Sequence, residues 1–363
     1  MDERVRKQAE ILVEECADIE KGDNVVVKGP KEAEDLAVAI AELLGEKGAH
    51  PTTSLTLPRV NRAYMLATDP EDFDTPEHIL AMAENVDAYI AIKGDANMYE
   101  RSDVPPEKNQ ARAKHMKPIQ EAFMESKWVV TQYPAPGDAQ KAEMSTPAYE
   151  DFVYGAINKD WEAQDEFQQQ MVDIVNDADE IRIVSGETTD LTMSVKGNIC
   201  ISDTTQNNMP GGEVFTAPIP DSVEGEVLFD KPLMAQGREV IGVYLRFEDG
   251  EVVEHAAEKN EEVLTAVLDT DEGARRLGEL GIGMNRDIDR FTYNMLFDEK
   301  MGDTVHMAIG RAYEENIGEG NEQNQSVVHQ DMIVDMSEDS RIEADGEVVQ
   351  RNGTFVFEDG FEE

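Results

Sequence analysis

Charge restricts this chain more than any other feature: 78 Asp and Glu against 32 Lys and Arg leave a formal −46, spread along the whole length rather than held in one block. A compact state with such a surface repels itself, and salt that shortens the screening length to about 3 Å at 1 M removes much of that penalty. Hydrophobic residues still make up 40 %, too many for a disordered acidic tail. The composition therefore predicts a folded, halophilic protein, and 363 residues suggest two domains more readily than one. Anionic partners are disfavoured. No run of Lys and Arg offers a basic face to nucleic acid, and an acidic membrane surface would be repelled.

The opening MDERVRKQAEILVEECADIEKGD places charge in every turn and lacks the roughly 7 to 15 apolar residues of a signal peptide. No stretch approaches the ~18 apolar residues of a membrane span, so a soluble cytoplasmic protein is expected. Cys16 and Cys200 lie far apart with no CxxC spacing, which predicts free, buried thiols rather than a disulfide or a zinc knuckle.

The first half alternates strand-like and helical text: Asn24–Lys28, Thr52–Leu57, Asp87–Lys93 and Trp128–Gln132 read as strands. Between them lie helical stretches at Glu32–Glu46, Glu77–Glu84 and Glu107–Glu125. Such alternation predicts helices packed on a mainly parallel sheet. After a helical region at about 147–176 the texture changes to short strands separated by Gly, Asp and Pro, with Asp345-Gly346 as a hairpin turn. The expected organisation is an N-terminal α/β domain over 1–180 and an α+β domain over 181–363 that carries the chemistry.

Among 78 carboxylates a lone Asp or Glu says little, so the six histidines are the better guide. His50, His78, His115 and His255 sit where element ends or solvated faces are expected. His329 and Asp331 are two apart in a β-prone run and would project from one face of a strand, as a metal half-site or as an ordinary hydrogen-bonded pair. His306 lies in an apolar segment running into Gly310 and then Tyr313, where it reads equally as a ligand facing a cleft or as a satisfied core histidine. Two glutamates stand out by texture: Glu213 after Pro210-Gly-Gly, and Glu279 in GELGIG. A charge in a glycine-bounded apolar run is costly unless something pairs with it, as a metal does. GIGMNR lacks the third glycine of a dinucleotide loop.

Taken in order, GGEVFTAP, GELGIGMNRDIDRFTYNMLFDEKMGDTVHMAIGRAY and VVHQDMIVDM resemble the aminopeptidase T family of metallopeptidases, over about 211–336, with a weaker collinear likeness around GDNVVV. The resemblance implies that Glu213, Glu279, His306, His329 and Asp331 are metal ligands and that Tyr313 is catalytic. It also implies an N-terminal α/β domain, a metal-bearing C-terminal domain and a homodimer with an enclosed active site. The segment 314–325 is short for the family.

Five protein ligands over-supply one zinc, which in a catalytic site usually takes three and keeps a position open. Two divalent ions about 3.5 to 4 Å apart fit better, and with three carboxylates and a bound hydroxide the cluster is neutral. Zinc, cobalt and manganese all suit such ligands. The expected activity is removal of the N-terminal residue from peptides with a free α-amine, through water activated by the ion pair, with Tyr313 donating to the oxyanion. Glu279 is one candidate general base; Glu299, in Asp298-Glu-Lys-Met301, is another, or a carboxylate that orients a ligand or simply pairs with Lys300. The competing readings are a non-catalytic acidic protein that holds hydrated cations, and a metal-dependent amidohydrolase acting on a small non-peptide amide. The HExxH motif of thermolysin-like enzymes is absent.

Overall fold

The computed structural model describes residues 2–362. They form two compact units: one from the residues up to Lys159 together with Thr205–Pro210, the other from Asp160–Thr204 and the residues from Gly211 onward.

The first unit is built on a parallel five-stranded sheet among the described residues, in the order His50–Thr56, Asn24–Pro30, Ala88–Lys93, Lys127–Gln132, Asn207–Met209. Val25, Val26 and Val27 are all buried, as a β-branched run in the middle of a sheet covered on both faces demands. Helix Glu34–Lys47 buries Leu36, Ile40, Leu43 and Leu44, each worth about 1.5–3 kcal/mol of transfer free energy. It stops at Gly48, whose left-handed φ of 77° lets its N–H return to the last carbonyls.

The second unit is antiparallel. Its larger sheet has eight strands among the described residues, with Glu180–Ser185 and Thr189–Ser194 near the middle. The expected turn at Asp345-Gly346 joins Ser340–Ala344 to Glu347–Arg351, and both turn residues have positive φ, as a tight hairpin requires. A smaller five-stranded sheet runs in the order His329–Asp335, Thr304–Gly310, Leu277–Gly283, Glu213–Thr216, Ile201–Asp203. Val214, Leu280, Ile282, Val305, Met307, Ile309, Met332 and Val334 of this sheet share one core with Ile181, Ile183, Leu191 and Val227 of the larger one. Side chains alternate across a strand, so the residues between these core positions face the other way.

Three sequence expectations are adjusted. The division falls at 159/160 instead of near 180, because helix Trp161–Asp177 puts Met171, Val172 and Val175 into the core of the second unit. The three-residue strand Asn207–Met209 pairs with Lys127–Gln132 and so belongs to the first unit. Neither cysteine forms a disulfide, but only Cys200 is buried; Cys16 is partly exposed.

Candidate metal centre

The register of the smaller sheet gathers the chemistry on the face turned from the core. Glu213 pairs with Gly283 and with Asp203; His306 pairs with Gly281; Ala308 lies between Glu279 and Asp331; Gly310 pairs with His329. Asp203, Glu213, Glu279, His306, Asp331 and His329 therefore share one face. Gly281 is needed for this. A Cβ there would fall 2.0 Å from His306 Nε2, so the imidazole lies across the space that only glycine leaves.

The donor atoms converge closely. His306 Nε2 is 3.1 Å from Glu279 Oε1 and 3.2 Å from Glu213 Oε2. His329 Nε2 is 3.6 Å from Glu279 Oε2 and from Asp331 Oδ1. Glu279, His306 and Asp331 bring one donor atom each within 4.8 Å of one another. Ligands about 2.0–2.1 Å from a tetrahedral ion stand roughly 3.4 Å apart, so these separations are those of atoms arranged round a shared cation. The Nδ1–H of His329 donates to the Arg311 carbonyl at 2.8 Å, which fixes the ring orientation and turns Nε2 toward the carboxylates.

Burial grades across the site. His306 is 1 % exposed, Glu213 and Glu279 are buried, and Tyr313, 40 % exposed, stands at the open end with its hydroxyl 3.4 Å from His329 Nε2. Burial raises the carboxyl pKa values of Glu213 and Glu279, an effect that Lys300 and His306 partly oppose. Burial disfavours a charged His306, yet Glu213 and Glu279 lift its pKa to about 10; His329 rises to about 9 with Asp331 and Glu279 as the opposing charges. Desolvation, then the charges of Glu279 and Asp331, push the Tyr313 phenol up, so its O–H is retained. Glu213 Oε2, Glu279 Oε2, Asp203 Oδ2 and His306 Nδ1 are buried with no hydrogen-bond partner. Of these, Glu213 Oε2 faces His306 Nε2 and Glu279 Oε2 faces His329 Nε2, and orphaned buried oxygens set against imidazole nitrogens fit divalent cations.

The five ligands suggested by sequence are thus brought together, with Tyr313 beside them. Glu299 contacts Lys300, which also reaches Glu213 Oε1 at 2.9 Å and Asp203 Oδ2 at 3.7 Å. His50, His78, His115 and His255 are outside this cluster; His255 instead bonds to Thr265. Asp203 and the burial of Lys300 escaped the sequence reading. The local text gave no signal for either: Lys300 follows Asp298 and Glu299 in DEK, which reads as a solvated turn.

A buried face of carboxylates and imidazoles, open at one end beside a protonated tyrosine, defines a metal-dependent hydrolase. The chain matches the thermophilic metalloproteases (M29) over residues 1–361, and it belongs to that family. It is 31 % identical to aminopeptidase T of Thermus aquaticus over 95 % of this chain and 94 % of that one. Identity to aminopeptidase T of Thermus thermophilus is 32 %, over 92 % and 93 % of the two chains. The solved structure of wild-type AmpT from Thermus thermophilus superposes with a TM-score of 0.84 at 29 % identity, covering 98 % of this chain and 99 % of that one.

Proposed function

We propose that this enzyme is an aminopeptidase that hydrolyses the first peptide bond of substrates with a free α-amine, using two divalent ions that share Glu279. The observation that carries the reading is the placement of Glu279 between both imidazoles, Oε1 toward His306 and Oε2 toward His329. Glu213 and His306 then complete one ligand set, and His329 and Asp331 the other. Charge supports two ions over one. With both imidazoles neutral, as metal ligation requires, Asp203, Glu213, Glu279, Glu299 and Asp331 as carboxylates against the ammonium of Lys300 leave four negative charges, which two dications neutralise. Zinc, cobalt and manganese remain the ions that suit such a donor set. When bound, the ions supply an activated water and polarise the scissile carbonyl.

The residues of the chain do the rest. Glu279, His329 and Asp331 would hold an ion able to take the free α-amine of the substrate, which restricts attack to the first bond. Glu279 is the candidate to receive the proton of the attacking water. Glu299 is held by Lys300 and acts by position. Tyr313 keeps its proton and donates to the oxygen that becomes negative. The direct test compares a peptide with its N-acetylated form in molar salt. Only the free amine is expected to be cleaved; equal rates on both would rule out an exopeptidase.

The role of Tyr313 is separable from metal binding. Tyr313→Phe is expected to lower kcat by about 10²–10³-fold, the usual cost of one oxyanion donor, with metal content unchanged. Loss of metal in that variant would make Tyr313 a structural support instead. The acidic surface supports work in a salt-rich cytoplasm, and the likeness to aminopeptidase T supports a homodimer.

A further inference from the structure

One cation in the site is supplied by the chain itself. Lys300 is 0 % exposed, and its ammonium faces three carboxylates: Glu213 at 2.9 Å, Asp203 at 3.7 Å, and Glu299 in direct contact. Burying an ammonium is costly, and pairing with carboxylates has to offset that cost. Three carboxyl groups are more than one ammonium requires: burial pushes the Asp203 carboxyl well above its usual pKa, and its Oδ2, buried and aimed at Lys300, has no hydrogen-bond partner. Three converging carboxylate oxygens are the donor set of a hard divalent ion. The Lys300 Nζ stands where such an ion would sit.

We propose that Lys300 is a resident cation occupying a latent divalent-ion position formed by Asp203, Glu213 and Glu299, which closes that position to metal. The consequence for Glu213 is definite. Its Oε1 is committed to Lys300, so only Oε2, 3.2 Å from His306 Nε2, is offered to the metal centre. Lys300 is in this sense a positioning residue: it limits the number of ions and keeps Glu213 a one-oxygen ligand. The inference rests on Glu213 being a carboxylate of the metal centre, as proposed above, and does not depend on the substrate.

Lys300→Ala tests it by vacating the position while leaving the three carboxylates. Wild type and variant, kept in molar KCl throughout, are stripped with a chelator, reloaded with Mn²⁺ alone, freed of excess and analysed for manganese per chain. Electron paramagnetic resonance of the bound Mn²⁺ is recorded in parallel. Lys300→Ala is expected to carry one manganese more than the wild type and to show an added Mn²⁺ signal. Lys300→Ala combined with Asp203→Asn is expected to return to the wild-type count. Equal counts in Lys300→Ala and wild type overturn the proposal, as does an extra ion that survives Asp203→Asn. A Lys300→Ala chain that stays unfolded under saturating Mn²⁺ also overturns it, because the ion has then failed to replace the ammonium. A wild type that binds no manganese at all defeats the metal centre itself, and the difference between the two chains remains readable.

Discussion

Replacing Glu279 with alanine is expected to strip the divalent ions from the enzyme and to lower kcat/KM by about 10⁴-fold, the scale at which a catalytic group acting as part of a unit is lost. Among the described residues Glu279 is the carboxylate that meets both imidazoles, so its removal opens both proposed ligand sets together. Removing Asp331 opens one. Metal content by elemental analysis and turnover of an aminoacyl anilide in molar salt report the two effects separately. The chelator-treated proteins carry a further prediction of opposite sign. Without ions, Glu279 adds a buried charge to a cluster already rich in carboxylates, and burial raises its pKa. Glu279→Ala should therefore melt no lower than wild type in chelator, while wild type alone gains stability when metal is restored. Retained metal with activity within tenfold of wild type would show that Glu279 lies beside the centre and does not build it.

How much of this was readable in advance follows from what sequence pattern encodes. Strand Thr304–Gly310 alternates Val305, Met307 and Ile309 with His306 and Ala308, and that period of two is enough to send the histidine away from the core. Pattern does not say what lies opposite: all seven residues of this strand are buried, so core face and site face look alike by burial. Glycine at 281 reads as a turn or a weak strand, whereas its purpose is to admit the ring of a residue 25 positions later. Asp203 was lost among 78 carboxylates, and Lys300 in DEK reads as a solvated turn until the chain folds over it. The boundary near 180 failed for a similar reason. An amphipathic helix declares that it has an apolar face, not which core receives it; Phe167 meets Phe355 and Phe357, nearly two hundred residues on.

Transfer to about 0.01 M salt is expected to unfold the protein, seen as loss of far-ultraviolet circular dichroism, and return to molar KCl to restore it. The cause is the formal −46. Many of the ion pairs involve exposed groups, such as Arg4 with Asp151 and Lys117 with Glu121, and pairs of this kind contribute about 0–1 kcal/mol each. They leave a large excess of carboxylates with no cation to face. Lowering the salt from 1 M to 0.01 M lengthens the screening distance from about 3 Å to about 30 Å, so every carboxylate then meets many others across the surface. The accumulated repulsion has only to exceed the roughly 5–15 kcal/mol by which a domain is usually stable. Sucrose separates screening from exclusion. It strengthens burial by being excluded from the surface but carries no charge, so at the osmolality of molar KCl it should fail to rescue the fold. An unchanged spectrum on desalting, or full rescue by sucrose, would mean that charge repulsion is not what sets the salt requirement.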